Sequence, residues 1–463
     1  LTFSFLWVTY QGSKLGEEFV AINAILIQFI ALASFFLDAY AFSTEGIVGF
    51  TIGRRSRKSF LMAVVMLLTT VLYAQQPELQ YFRSNDKDGV NVFETPKSND
   101  VEFDGLKVRL GGDFALQFQG LSQTNSGDSL TELASNFNLP TANLNIDVQL
   151  ADGMRLHMRT YLSSRHHTEA YVKGGYLQID KLDFIKPGLL SGFMNVATLR
   201  FGMDEINYGD AHFRRSDNAR ALYNPFVGNY IMDNFTTEPF AELTIQNNGL
   251  IAVLGGTNGR LNQSPLPGDD GFVIFGKLGY DKQISDDLRV RITGSFYNSN
   301  DKGTRDYIYG GDRAGSRYYA VIDGGDFSGR YNPRFAYLSA FQINPFVKFQ
   351  GLEFFGVFEK MSNGNDEVGG AFTQIGAEAI YRFGAEEQWY LGGRYNAVSG
   401  ENVEDGPARE LNRLNIGGGW FLTKNVVTKV EYVKQTYQGE AWDGTFYQGA
   451  EFDGIVIEAA IGF

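Results

Sequence analysis

Cysteine is absent from the 463-residue chain, which excludes a thiol nucleophile, a thiolate metal site, a disulfide and a lipid-anchored cysteine. Histidine is scarce: only His157, His166, His167 and His212 occur. The neighbouring His166 and His167 do not complete a metal site by themselves, and their proximity to Ser163 and Ser164 is not a triad, because a triad is defined by geometry. Bases are outnumbered, with 40 Lys and Arg against 53 Asp and Glu and a formal net charge of -13. Nucleic acid is therefore not an expected partner, since phosphate binding needs a basic footprint. No phosphate-cradling glycine loop or dinucleotide fingerprint stands between a strand and a helix. No residue set is left to carry enzymatic chemistry, and neither a metal nor another cofactor is expected.

Mean hydropathy is also low, at -0.18, yet aromatic residues make up 14%, with 39 Phe, 24 Tyr and 54 Gly. Such a composition suits strands with aromatic girdles around a polar interior. The closing stretch GIVIEAAIGF alternates back from Phe463 through Ile461, Ala459, Ile457 and Ile455 on one face. A last strand that stops on phenylalanine resembles the signal by which the bacterial outer-membrane assembly machinery recognises its barrels.

The same alternation runs through residues 106–463. In the first strand, 106–120, Val108, Leu110, Phe114, Leu116 and Phe118 share one face, and Lys107, Arg109, Asp113, Gln117 and Gln119 the other. Further strands are expected at 144–150, after the turn at 151–153, and near 169–182, 195–204, 239–247, 249–257, 271–281, 288–299, 335–348, 352–362, 369–383, 387–399, 410–421, 426–437 and 451–463. Turns after even-numbered strands are mostly short, as at Asn248-Gly249 and Gln350-Gly351, whereas several connections after odd-numbered strands are long. A soluble sandwich also alternates, but here the charges keep to one parity. The expected fold is all-β, a 16-stranded antiparallel transmembrane β-barrel in the bacterial outer membrane, with both termini periplasmic and the long loops outside.

Ahead of the barrel lie a signal peptide and an apolar helical segment. Residues 54–74 join a basic RRSRKS, a short apolar run and Ala74, the layout of a secretory signal peptide. Residues 19–37 are apolar for long enough to span a bilayer. The surrounding LGEEFVAINAILIQFIALASFFLDAYAFSTEGIVGFTIG resembles a fragment of a multidrug and toxic compound extrusion (MATE) efflux transporter. Because the first methionine is Met62 and the signal peptide follows this fragment, residues 1 to about 53 are expected to be an artefact of a neighbouring reading frame, the alternative being a membrane-anchored fusion. A mature start near Gln75 is expected. Residues 75–105 are polar and aperiodic, and read as a periplasmic lead-in segment.

The third long connection, 205–238, is about 34 residues with no evident strand, a length that is usually functional or disordered. Its Phe213, Leu222, Tyr223, Phe226 and Tyr230 argue against disorder. By position and length it resembles the third external loop of trimeric porins, which folds inward and narrows the pore, and that resemblance implies that Arg214, Arg215 and Arg220 stand at a constriction; the plainer alternative is an external loop over its own small core. Parity places Arg109, Arg155, Arg159, Arg200, Lys277, Arg289, Arg291, Arg382, Arg394, Arg413 and Lys429 on the inner wall, together with Asp113, Asp147, Glu242, Glu353, Glu359, Glu378, Glu431 and Glu458. Free arginines there would concentrate anions; ion pairs among them would merely support the wall. External Asp128, Glu132, Asp269, Asp270, Asp301, Asp306, Asp312, Asp366, Glu367, Glu401, Glu404 and Asp405 offer carboxylates for divalent cations bridging lipopolysaccharide, the plainer reading being solubility.

LRFGMDEINYGDAHFRRSDN (199–218), after GGYLQIDKL (174–182), resembles the strand and loop pattern of the phosphate-selective porin superfamily over about 106–463. The resemblance implies a homotrimeric porin for passive diffusion of small hydrophilic solutes, binding anions through arginine and lysine of loop and wall. A lysine-rich ladder is not evident here, so the reading leans weakly to anions and stops short of phosphate. The alternative is a β-barrel adhesin or secretion-system subunit without channel activity.

Overall fold

Residues alternating between lipid-facing and lumen-facing character form strands that satisfy every backbone group only when the sheet closes on itself. A computed structural model describes residues 76–163, 171–216, 220–259, 271–300, 307–310, 318–322, 329–335 and 337–463, so the MATE-like fragment, the signal peptide, His166 and His167 lie outside the described residues. Sixteen strands run in chain order: β1 (Lys107–Thr124), β2 (Thr141–Ala151), β3 (Met154–Ser163), β4 (Tyr171–Ile179), β5 (Ala197–Glu205), β6 (Thr237–Asn247), β7 (Leu250–Thr257), β8 (Val273–Gln283), β9 (Leu288–Ser299), β10 (Leu338–Phe349), β11 (Leu352–Asn363), β12 (Ala371–Phe383), β13 (Trp389–Glu401), β14 (Arg409–Thr423), β15 (Val426–Gln438) and β16 (Glu451–Gly462). Each pairs with its neighbours in sequence, and β1 pairs antiparallel with β16 from Asp113↔Gly462 to Thr124↔Glu451, closing the barrel. The two-residue strand Asn136–Phe137 adds a short rung beside Phe118 and Gln119 of β1.

The expected count and the alternation of faces agree with this barrel. β1 is longer than its sequence pattern suggested, because β16 carries the pairing up to Thr124. The β6–β7 turn uses Asn248 at φ 47° and Gly249 at φ 92°, the two positive values a type I′ hairpin requires.

Burial is inverted relative to a soluble protein. Ile375, Leu391, Ile416, Val430 and Ile455 are exposed on the outer face, while Glu353, Glu378, Arg394, Asn396 and Glu458 are buried on the inner face. At the turn end of β12–β14, Trp389 and Trp420 stack with ring centroids 4.4 Å apart, and Tyr381 stacks on Phe383. An apolar belt edged by aromatics is a lipid-facing surface, and closed antiparallel barrels of this kind belong to the bacterial outer membrane. Phe463 continues the outward row. Its amide donates to the Gly112 carbonyl at 3.1 Å, and its own carbonyl accepts from Gly112 N at 3.2 Å. A Cβ at Gly111 would stand 2.7 Å from the Phe463 backbone carbonyl oxygen, so the close approach of the two strands needs glycine there.

The lumen is occupied from three directions. Connection 205–238 lies inward: Leu222, Tyr223 and Phe226 cluster with Tyr390, Phe421 and Val427 of the wall. Its backbone is held by Lys429, which donates to the carbonyls of Ala221, Asn224 and Phe226, and by Glu431, Asn396 and Gln374, which accept from the amides of Val227, Ile231 and Met232. The described parts of connection 300–334 also reach the wall, through Tyr309 to Glu359 and Tyr318 to Glu431.

The segment expected as a periplasmic lead-in is the third occupant. It stays on the turn side but folds as a strap across the mouth. Gln80 bonds Gln149, Asp152 and Gly153; Lys87 N donates to Lys424 O; Asn91 donates to Glu353; Lys97 pairs with Asp180 at 2.7 Å. The physical reason is partnering: inward polar side chains at the rims of β2, β4 and β11 need donors and acceptors, and the Asn- and Gln-bearing strap supplies them.

Candidate functional site: the lumenal cavity

Between the strap, loop 205–238 and the wall of β2–β6 a cavity is left. The wall contributes Asn145, Asp147, Arg155, His157, Arg159, Tyr176, Gln178, Thr198, Arg200, Asp204, Glu242 and Thr244; the strap contributes Phe82, Arg83, Asn85, Phe93, Glu94 and Thr95; the loop contributes Asn207, His212, Phe213 and Arg220, with Glu205 at its root. Alternation on β2–β6 turns these polar side chains inward, and the two-residue spacing from Arg155 through His157 to Arg159 makes a column along β3.

Five guanidiniums and five carboxylates border this space, and four of the arginines are paired. Arg155 donates to Asp147 at 2.5 Å, and the same carboxylate oxygen lies 3.0 Å from His157 Nδ1. Arg159 meets Asp204 and Glu205, each at 3.3 Å. Arg200 meets Glu242 at 3.4 Å, with its guanidinium 4.1 Å from the Tyr176 ring. Arg220 meets Glu205 at 3.3 Å. Arg83 differs: it donates to the carbonyls of Gly89 and Phe213 and lies 3.9 Å over the Tyr223 ring. Burial pushes its guanidinium down to about 10, the Tyr223 hydroxyl and the more distant Glu205 carboxylate working against this and Arg220 and Arg214 adding to it, so it stays cationic at neutral pH.

Glu94 contributes little negative charge to the cavity. Burial alone would raise its carboxyl, but Arg291 at 2.7 Å and Lys277 at 3.1 Å more than offset that and hold it well below the usual range. Burial pushes His212 down to about 4 despite the Glu205 carboxylate 3.7 Å away, so it is neutral at pH 7.

The residues singled out from sequence are dispersed. Arg155, Arg159 and Arg200 border the cavity, and so does Arg220. Arg214 is buried, donating to Glu378 at 2.6 Å and to Asn91, and Arg215 makes two bonds to Asp233, at 2.7 and 2.6 Å. Lys277 and Arg291 converge on Asp210, and Arg289 grips Asp281. Arg394 pairs with Glu378 at 2.6 Å, and Arg413 donates to Gln435 and to the Asn229 and Gly329 carbonyls. Arg109 lies over Phe82 at 5.1 Å. Arg83 and His212 border the cavity although neither was assigned a role there. Leu79, Phe82 and Phe93, apolar residues in a largely polar segment, were the available signal for a packed strap. Among the described residues no cluster of three or more His, Asp or Glu side chains is placed to hold a metal ion.

No family model matches the chain, and no curated protein matches it in sequence. Among solved structures it is similar to OmpT, an outer membrane protein of Vibrio cholerae, at 12% identity over 78% of this chain and 99% of that one, with a TM-score of 0.48. It is also similar to an anion-selective porin from Comamonas acidovorans (11% identity, 77% and 100% covered, TM-score 0.47) and to OprB of Pseudomonas putida (10% identity, 78% and 94% covered, TM-score 0.48).

Proposed function

We propose that the chain is an outer-membrane porin through which small hydrophilic solutes diffuse passively, with a weak preference for anions. The observation that carries the reading is the cavity between the β2–β6 wall and the two inward segments, lined by charged and hydrogen-bonding side chains. Polar lining replaces part of a solute's hydration, and the barrel wall keeps the path out of lipid. Arg155, Arg159, Arg200 and Arg220 line this path, and Arg214 and Arg215 act behind it by holding loop 205–238 in place. The other wall bases, Arg109, Lys277, Arg289, Arg291, Arg394 and Arg413, support the wall and the inward segments. A homotrimer, contact with lipopolysaccharide and recognition of Phe463 by the assembly machinery complete the proposal.

The anion preference is weak because four of the five arginines face carboxylates. A closed barrel serving as adhesin or secretion subunit is favoured by one observation, the extent to which 205–238 and the strap fill the lumen. Planar bilayer recording separates the two: the porin gives stepwise, ohmic, salt-dependent conductance, and folded protein that conducts nothing belongs to the other class. Reversal potential in a KCl gradient reads the sign of selectivity, and a cation-selective value sinks the anion preference.

A further inference from the structure

We infer that, among the arginines lining the cavity, Arg83 of the strap and not those of the wall supplies the net charge that sets ion selectivity, so that Arg83 is the selectivity-determining residue; this rests on the porin reading above. Charge balance around the cavity is the starting point. Arg155, Arg159, Arg200 and Arg220 each have a carboxylate within 3.4 Å, so each contributes a dipole more than a net charge. Arg83 has no carboxylate in ion-pair range among the described residues; its donors go to the neutral carbonyls of Gly89 and Phe213. An ion pair cancels most of its own field within a few ångströms, whereas a guanidinium held by carbonyl oxygens keeps its charge.

Position matters as much as charge. Gly89 belongs to the strap and Phe213 to loop 205–238, so Arg83 sits at the seam of the two segments that narrow the lumen. Its guanidinium is fixed over Tyr223 of that loop at 3.9 Å. The site is half-buried and flanked by barrel wall, where a fixed charge is screened less than at the surface. Anions passing between the strap and β2–β6 meet this net positive charge at short range, while Glu94 on the same strap is neutralised from behind by Lys277 and Arg291.

The test compares Arg83→Lys with Arg83→Gln in the full-length protein, each folded to the heat-modifiable form and recorded in a planar bilayer under a KCl gradient. Lysine keeps the charge but cannot reproduce the two-carbonyl fork; glutamine keeps hydrogen bonding and loses the charge. The expected result is that Arg83→Lys retains the wild-type reversal potential, and Arg83→Gln lowers the anion-to-cation permeability ratio by on the order of threefold to tenfold. An unchanged reversal potential for Arg83→Gln, with conductance intact, overturns the inference and leaves the porin reading standing. Equal shifts in both variants overturn it as well, assigning Arg83 to clamping the strap. Folded wild-type protein without conductance overturns the porin reading itself.

Discussion

Lys429 of β15 is the strongest single tether of loop 205–238, and Lys429→Met tests how that loop is held. The ammonium donates to the carbonyls of Ala221, Asn224 and Phe226 at 2.9, 3.1 and 3.1 Å, and it also pairs with Glu458. Hydrogen bonds to a charged group contribute about 1.5–3 kcal/mol each, but three from one ammonium do not add, because removing it also relieves the cost of burying it. The larger effect is the carboxylate left behind. Glu458 is fully buried; Gln117 Nε2 donates to it at 2.8 Å, and the Lys429 ammonium is its ion-pair partner. Removing one member of a buried pair costs about 3–5 kcal/mol, which is the expected destabilisation. Loosening should be confined to 221–226, since Arg394, Glu431, Asn396 and Gln374 still hold Gly228 and the amides of Val227, Ile231 and Met232. The readouts are the temperature at which the heat-modifiable band is lost, protease access to the loop, and single-channel conductance, which should rise. Adding Glu458→Gln should recover much of the stability without restoring wild-type conductance, separating orphaned charge from lost tether. A Lys429→Met protein with wild-type melting, protease resistance and conductance would refute the reasoning.

Three further outcomes are expected. Arg220→Ala should change conductance or selectivity with little loss of stability, because Arg220 is partly exposed at the cavity, whereas Arg214→Ala should chiefly destabilise, leaving Asn91 and Glu378 short of a donor; the reverse ranking in bilayer and melting measurements would contradict the placement. His212 ionises near 4 in the folded barrel against 6.5 ordinarily, so between those values the unfolded chain binds the extra proton and stability falls as pH drops, by up to about 3 kcal/mol. His212→Asn should flatten that slope in urea unfolding at pH 7 and pH 5, and an undiminished slope would assign it elsewhere. Trp389 and Trp420 face lipid, whereas Trp442 is buried among Tyr331, Tyr437 and Tyr447, so in a background where Trp7, the fourth tryptophan, is replaced by Phe, brominated lipids should quench a Trp442→Phe variant and spare a Trp389→Phe/Trp420→Phe double variant.

The barrel was legible in the sequence because strand parity is a local signal. Val108, Leu110 and Phe114 alternate with Arg109 and Asp113, and a turn such as Asn248-Gly249 announces itself in two residues. The inward tilt of 205–238 was legible only as a length and a set of aromatics. What fills the lumen is a long-range matter: Asn91 meets Glu353, Arg83 meets Phe213 O, and Arg214 meets Glu378, pairs separated by 130 or more positions in two of the three cases and by 262 in the remaining widest one. No period encodes such pairings.

Parity therefore says which charges face inward but not which remain uncompensated, and only the uncompensated ones act on a passing ion. Arg394 and Arg214 illustrate the difference. Both are buried, both end on Glu378, and the cluster keeps a single net positive charge, because Glu353, 3.7 Å from Arg214, is already paired with Arg382 at 2.7 Å. Counting inward arginines would rank that cluster above Arg83. Subtracting each arginine's carboxylate leaves one net charge in either place, and position then decides, because Arg83 gives its donors to carbonyls and lines the cavity, whereas Arg214 and Arg394 do not border it. For a chain whose formal net charge is -13, a preference for anions has to arise from such a local excess, since the global field opposes it.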